Sequence, residues 1–256
     1  MNTGWISDGW KILSGHKVKL MESLKTDKPR ILMVIPARGG SKRPPRKNVL
    51  PLRGRPLIEW TIEAAIDSGL ADRIVISSDD EEILSVSAGY DVVQMRRDAA
   101  LASDTASTTD VLLDVIQRLE AEGELYDVVV LLQATSPLRE ADDISGAIEV
   151  YLAGQGACVV SVCESDHPIE WCGHVTGDGR LEGFDAVSGI RSQDFNPSYR
   201  LNGAIYISGV ESFKKHKSFY VGDVLAYIMD RENSIDVDTE IDLLICKVLV
   251  DKFRGG

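Results

Sequence analysis

The stretch Ile31-Leu32-Met33-Val34-Ile35-Pro36-Ala37-Arg38-Gly39-Gly40-Ser41-Lys42-Arg43-Pro44-Pro45-Arg46-Lys47-Asn48 decides the fold. Its apolar opening has no polar alternation, which suits a strand covered on both faces rather than one with a wet side. The change at Pro36 to glycine, proline and cations ends the strand and starts a loop. At the carboxyl edge of a parallel sheet, glycines let a ligand approach the backbone, and N–H groups and cations favour phosphate. Between Lys28 and Ile58 there is no Asp or Glu, while Arg38, Lys42, Arg43, Arg46, Lys47, Arg53 and Arg55 all fall there. The whole chain carries a formal charge of −12, so this concentration of positive charge is local.

Similar apolar runs recur downstream at Ile74–Ile76, Val92–Met95, Val128–Leu132 and Cys158–Cys163. Their spacing leaves room for crossover helices. Pro56 opens one such helix, with Leu57, Ile58, Ile62, Ala65 and Ile66 at helical intervals. Another follows Ser107 and carries Val111, Leu112, Val115, Ile116 and Leu119. The expected class is α/β, a doubly wound, mainly parallel sheet of Rossmann-like form. After the fifth strand the rhythm breaks. Thr176-Gly177-Asp178-Gly179 reads as a hairpin turn, and Asn202–Ser208 as a later strand. Residues 165–200 are therefore expected to form a small inserted lobe, for substrate binding or dimerisation, within a domain spanning residues 30–254. Residues 1–29 hold Trp5 and Trp10 without clear periodicity and read as an extension outside the core fold, open to disorder.

With 44% hydrophobic and 27% charged residues, the composition is that of a packed globular protein. Its net negative field argues against a general nucleic-acid or anionic-membrane surface. Cys158, Cys163, Cys172 and Cys246 form no CxxC pair and no zinc spacing, so reduced thiols are expected. Neither a membrane-spanning run nor a signal peptide is apparent, and the expected location is cytoplasmic. The loop after Ile35 matches neither GxxxxGK[ST] nor GxGxxG, which disfavours a P-loop NTPase or a simple dinucleotide dehydrogenase.

Five segments together carry a family resemblance: the loop above, Leu101-Ala102-Ser103-Asp104-Thr105-Ala106-Ser107, Leu131-Leu132-Gln133-Ala134-Thr135-Ser136-Pro137-Leu138-Arg139, Asn202-Gly203-Ala204-Ile205-Tyr206-Ile207, and Ser234-Ile235-Asp236-Val237-Asp238-Thr239-Glu240. In this order, over residues 30–250, the chain resembles the acylneuraminate cytidylyltransferase family, the CMP-sialic acid synthetases. The resemblance implies transfer of CMP from CTP to the anomeric 2-hydroxyl of a nine-carbon nonulosonic acid, with release of pyrophosphate. It also implies a homodimer.

By the same resemblance, Arg38, Gly39, Gly40, Ser41, Lys42 and Lys47 match positions that grip the triphosphate, through charge-assisted bonds that Arg and Lys make strongly. Asn48 and Arg97 match positions associated with cytosine. Thr108 stands near the nucleotide, where a helix-end or packing role is equally open. Gln133, Arg191, Asn202 and Tyr206 match positions at the sugar, with Arg200 in support; Gln133 also fits a strand-end amide bonded to the neighbouring backbone, and Tyr206 an ordinary packed strand aromatic. Asp236 and Asp238 lie one residue apart in an extended segment and so project to one side. Close carboxylates repel unless a cation lies between them, and hard oxygens beside a triphosphate suit Mg²⁺. The same triplet also fits a cap on a helix opened by Asp238 or Thr239. The residues expected to carry the chemistry are Arg38, Lys47, Asp236 and Asp238. No general base is evident, since His16, His167, His174 and His216 fall outside the shared segments.

One departure bears on the acceptor. After His167-Pro168-Ile169, where sialic-acid members commonly have lysine, this chain has Glu170 and Trp171. Legionaminic and pseudaminic acids therefore stand beside N-acetylneuraminic acid as acceptors. CMP-Kdo synthetase is a more distant reading, and an inactive nucleotide-binding protein of the same fold is the non-enzymatic one.

Overall fold

The computed structural model describes residues 28–40, 44–102, 107–183 and 195–253. The residues from Ile31 onward form one compact unit. The expectation for the N-terminal extension, residues 1–29, lies outside the described residues except for residues 28 and 29.

The first strand, β1 (Ile31–Pro36), is followed by a short ribbon of β2 (Pro51–Leu52) and β3 (Arg55–Pro56), then α1 (Leu57–Asp67), β4 (Arg73–Ser78) and α2 (Glu81–Ser87). Next come β5 (Val93–Arg96), α3 (Thr108–Ala121), β6 (Val128–Leu132), α4 (Ala141–Ala153) and β7 (Cys158–Glu164). The chain continues through a second ribbon, β8 (His174–Val175) and β9 (Leu181–Glu182), to β10 (Tyr199–Gly209), α5 (Val210–His216), β11 (Val224–Ile228) and α6 (Glu240–Phe253). The central sheet runs β11-β7-β10-β6-β1-β4-β5. All its pairs are parallel except those of β10, which is antiparallel to both β6 and β7. The chain leaves β1 toward β4 on one side and returns to β6 on the other. That reversal opens a crevice at the carboxyl ends of β1 and β6, where ligands bind in open α/β sheets.

Strand side chains alternate between two cores. Ile31, Met33 and Ile35 of β1 point with Val128, Val130 and Leu132 into a layer closed by Ile58 and Ile62 of α1 and Ile144 and Ile148 of α4. Leu32, Val34, Val129 and Leu131 face the opposite layer, closed by Leu112, Val115, Ile116 and Leu119 of α3 and Phe213 of α5. A smaller third core joins Leu52 and Leu57 to Leu138, Val237, Leu243, Cys246 and Val250. It holds α6 and the segment before it against the β2–β3 ribbon. In that ribbon Arg53 and Gly54 both take positive φ, 52° and 76°, the geometry of a two-residue turn that matches strand twist.

The helices begin where their sequences supply a cap. Ser107 Oγ accepts from Asp110 N, and the Asp110 carboxylate reaches back to the Ser107 amide, a capping box at the start of α3. Thr239 and Asp242 form the same reciprocal pair at the start of α6, at 2.7 and 3.3 Å. Between β7 and β10 the described residues form a turn at Ile169–Trp171 and the β8–β9 ribbon, paired His174 with Glu182 and Val175 with Leu181. Among the described residues, no helix is long and apolar enough to cross a membrane. The thiols of Cys158, Cys163 and Cys246 are buried and that of Cys172 is exposed, all without disulfides.

Removing the Ser107 cap leaves an amide of α3 without its acceptor. Ser107→Ala is expected to lower stability by about 1 kcal/mol in urea unfolding, with an unchanged denaturant slope. An unaltered midpoint would mean that the cap contributes nothing.

Candidate functional site

The loop after β1 extends the strand by one more bond, Ala37 N to Ser77 O at 3.0 Å, and then turns across the ends of β4 and β5. Gly39 N donates to Asp79 Oδ1 at 3.2 Å, and a Cβ built on Gly39 would lie 2.3 Å from Asp80 Oδ2. A glycine is thus required for the loop to lie this close to the start of α2. Arg46, with φ 53°, reaches the same place and grips Asp80 with two N–H groups at 3.0 and 3.1 Å, while also pairing with Glu82. Asp80 meanwhile caps α2, accepting from the amides of Glu82 and Ile83. Burial alone would raise the Asp80 carboxyl, but the Arg46 hydrogen bond and these amides hold it below its ordinary value.

Around the loop the predicted nucleotide residues take distinct positions. Asn48 is buried, donates Nδ2 to the Arg38 carbonyl at 3.0 Å, and leaves its Oδ1 buried without a hydrogen-bond partner. Arg97, just past β5, is 7% exposed and binds Ser77 through its carbonyl at 2.7 Å and its hydroxyl at 3.3 Å. Burial lowers the Arg97 guanidinium from its ordinary value; Asp79 opposes the shift and the nearby Arg38 adds to it. Thr108 is the first residue of α3 and exposed, and the cap there is Ser107. Gly40 has open space around it. Ser41, Lys42 and Asp104 lie outside the described residues.

The acidic pair comes from far along the chain. Val237, fully buried in the third core, donates its amide to the Thr135 carbonyl at 2.8 Å. Its neighbours Asp236 and Asp238 are thereby turned the other way, into a cavity of about 490 Å³ that both line. Asp238 Oδ1 meets Lys47 Nζ at 2.8 Å across a separation of 191 residues, so the basic loop and the carboxylates share one place. Asp242 lines the cavity too and accepts from the amides of Asp238 and Thr239, which sets the turn entering α6. The cap at the start of α6 is thus made by Thr239 and Asp242, while Asp236 and Asp238 both face the cavity. Burial pushes the Asp236 carboxyl up, countered by a hydrogen bond from Thr135, with Asp238 adding to the rise.

A divalent cation fits this donor set. Asp236 Oδ1 is buried without a hydrogen-bond partner, and a carboxylate in that state calls for a cation. Among the described residues no cluster of three or more His, Cys, Asp or Glu forms a metal cage. The protein would supply Asp236 and Asp238, with phosphate and water completing the shell, which is how Mg²⁺ is usually held.

Gln133, at the end of β6, lines the cavity beside Gly203, whose Cβ would stand 3.3 Å from Gln133 Oε1. Tyr206 and Arg200 line it from β10. Burial, then the neighbouring Tyr220, pushes the Tyr206 hydroxyl up to about 12, so it remains a donor. Asn202, expected at the sugar, borders the cavity but commits its amide to the protein: Oδ1 accepts from Ser161 Oγ at 2.6 Å and Ala204 N at 3.2 Å, and Nδ2 donates to Ser234 Oγ at 2.9 Å. Its burial at 2% exposure makes it a shaper of the wall. Arg191 lies outside the described residues. The residues that sequence reasoning did not single out are Arg46, Asp80, Asp242 and Arg139. For Arg46 and Asp80 the signal was a loop cation facing a cap carboxylate 34 residues away, which spacing alone does not pair.

Comparison with known proteins places the chain in a family. The family described as Cytidylyltransferase matches residues 32–183. The chain is 35% identical over 220 residues to a pseudaminic acid cytidylyltransferase of Campylobacter jejuni, covering 85% of this chain and 95% of that protein. It is 36% identical over 225 residues to a CMP-N,N'-diacetyllegionaminic acid synthase of Legionella pneumophila, covering 87% and 97% respectively. Among solved structures, a CMP:2-keto-3-deoxy-manno-octonic acid synthetase complexed with CTP superposes with a TM-score of 0.65 at 17% identity, covering 87% of this chain and 99% of that one, a likeness of fold.

The Asp80 anchor predicts a pH signature. Because its folded value is depressed, the stabilisation is present above the ordinary aspartate value of about 3.9 and is lost as pH falls through the folded value. The stability difference between wild type and Asp80→Asn in urea is expected to be present at neutral pH and to shrink below that value. A difference constant from neutral pH to about pH 2 would mean that Arg46 does not hold this carboxylate.

Proposed function

The chain belongs to the cytidylyltransferase family and is a nucleotidyltransferase, and we propose that it transfers CMP from CTP to the anomeric 2-hydroxyl of a nine-carbon nonulosonic acid, releasing pyrophosphate. The observation that carries this reading is the meeting of Lys47 with Asp238 at the rim of a cavity also lined by Gln133, Arg200 and Tyr206. Lys47 supplies a cation for the triphosphate, and the carboxylate pair stands beside it on the wall of a polar cavity sized for a sugar acid.

In this reading Arg38, Lys42 and Lys47 hold the phosphates, with the Gly39 and Gly40 backbone beside them. Lys47 exchanges Asp238 for phosphate oxygen when CTP enters. Arg97 and Asn48 border the base, and the unpartnered Asn48 Oδ1 is an acceptor suited to the exocyclic amine of cytosine. Asp236 and Asp238 hold Mg²⁺, which when bound would neutralise charge building on the departing pyrophosphate. Gln133, Arg200 and Tyr206 orient the acid so that its 2-hydroxyl faces the α-phosphorus, with a cation for the carboxylate and a protonated phenol for a hydroxyl. Such a reaction depends on positioning and charge neutralisation more than on a covalent nucleophile. Among the described histidines, His167, His174 and His216 are exposed and away from the cavity lining, which fits a mechanism without a histidine base.

The departure at Glu170-Trp171 favours pseudaminic or legionaminic acid over N-acetylneuraminic acid as the acceptor, while relatives carry names for all three acids. The Kdo reading rests on a likeness of fold at 17% identity and ranks below them. A homodimer fits the inserted lobe, where Ile169, Val175 and Leu181 are 69%, 70% and 67% exposed. Free thiols throughout fit a reducing compartment, the cytoplasm.

Pyrophosphate release, measured with CTP, Mg²⁺ and a panel of pseudaminic, N,N'-diacetyllegionaminic, N-acetylneuraminic and Kdo acids, tests the reading. One nonulosonic acid is expected to be consumed with formation of its CMP conjugate, and Asp238→Ala or Asp236→Asn to slow it on the order of 10²-fold or more. Absence of product with every acid would favour a silent nucleotide binder, and preference for Kdo would overturn the acceptor class.

A further inference from the structure

Arg139 lies one residue beyond Leu138 of the third core and is 1% exposed, one of the largest fully buried side chains of the protein. Its Nη1 donates to the Ala204 carbonyl at 2.9 Å and the Gln133 carbonyl at 3.2 Å, while Nε and Nη2 are buried without hydrogen-bond partners. No described carboxylate forms an ion pair with it. Asp143, the charge that acts on it, spends its own oxygen on the Glu140 amide and Asn233. An unpaired buried cation costs stability, and an apolar side chain would fill the space at lower cost. What an apolar side chain cannot do is donate to two carbonyls at once.

One carbonyl lies just past the end of β6 and the other in the middle of β10, both beside the cavity. The pairing of β10 with β7 shifts register between Leu201 and Tyr206, and Gly203 there has φ +76°. A shifted stretch leaves backbone groups off the ladder, and they must find other partners. Three buried side chains supply them. Asn202 Oδ1 takes the Ala204 amide, Ser161 Oγ takes the Ile205 amide at 2.8 Å, and Arg139 takes the Ala204 carbonyl. Through its second bond Arg139 ties that stretch to Gln133, whose side chain and Gly203 meet in the cavity.

We infer that Arg139 is a positioning residue for the acceptor, a clamp that fixes the spacing of Gln133 and Gly203 and so governs binding of the sugar acid without touching it. This rests on the acceptor cavity proposed above. The clamp acts on one substrate: it bonds at the end of β6 and at the register-shifted middle of β10, whereas the loop proposed for CTP follows β1 and is held by Asp79, Asp80 and Ser77.

The test compares wild type with Arg139→Lys, whose single ammonium lacks the fork, and Ser161→Ala, which removes a second support of the same stretch. Three readouts are taken: KM for the acid that wild type uses fastest in the panel, Kd for CTP by calorimetry without acid, and amide hydrogen exchange. In Arg139→Lys the acid KM is expected to rise about tenfold or more with the CTP Kd within about twofold, and exchange at Ala204 and Ile205 to accelerate while β1 and β4 stay protected. Ser161→Ala is expected to shift the same quantities in the same direction by less. In Arg139→Ala, free guanidinium at tens of millimolar is expected to recover part of the acid KM. An unchanged acid KM, parallel losses for acid and CTP, or a lower thermal midpoint with both constants intact would overturn the clamp. Should wild type use no acid at all, the functional reading fails by itself, and exchange at Ala204 and Ile205 in Arg139→Lys still decides whether the clamp exists. If Arg139→Lys does not fold, Ser161→Ala decides by the same criteria.

Discussion

The burial of one valine organises the site. Val237 is fully enclosed with Leu52, Leu57 and Leu138, and an extended backbone turns the residues on either side of it the opposite way. Those residues are Asp236 and Asp238. Leu52 and Leu57 follow directly on the basic loop, so the core that buries Val237 also seats Lys47 opposite the carboxylates, 2.8 Å from Asp238. Apolar packing thus sets an electrostatic arrangement that the charges could not reach alone, since two carboxylates brought together repel. The capping box of Thr239 and Asp242 fixes the exit from this segment and keeps the pair at the cavity.

The acceptor side is built by different means. There, an antiparallel strand inserted between parallel ones loses register, and buried polar side chains satisfy the backbone it exposes. Ser161, Asn202 and Ser234 are each at most 2% exposed and bond one another and the β10 backbone, and Arg139, also buried, joins them there through Nη1. Such networks rigidify what they surround. A cavity edged by Gln133, Gly203 and Tyr206 therefore has a defined shape before substrate arrives, which suits discrimination among acids that differ in a few substituents.

Much of this was legible in the chain. Val128–Leu132 is a strand over those residues because an unbroken β-branched run has one environment that suits it, and Ser107 starts α3 because its hydroxyl and Asp110 complete each other's bonds. Local chemistry of that kind can be read locally. The partners of Asn202 could not be. Its amide looks available in sequence, but the register shift of β10 draws it inward to Ser161 and Ser234. Likewise Arg139 reads as an ordinary loop cation, and its burial becomes visible once β6 and β10 lie side by side. The edge strand Val224–Ile228 has an exposed, half-buried alternation too short to stand out from a loop. Arg46 occupies a left-handed conformation without being glycine, held there by Asp80 and Glu82, and no local pattern announces such a pairing.

The convergence of loop and carboxylates is a statement about where a triphosphate must lie. A crystal structure with CTP and Mg²⁺ measures it directly. The account predicts the β- and γ-phosphates between the Arg38–Lys47 loop and Asp236–Asp238, with Lys47 Nζ moved from Asp238 to a phosphate oxygen. Triphosphate bound elsewhere, with the Lys47–Asp238 pair intact, would contradict it.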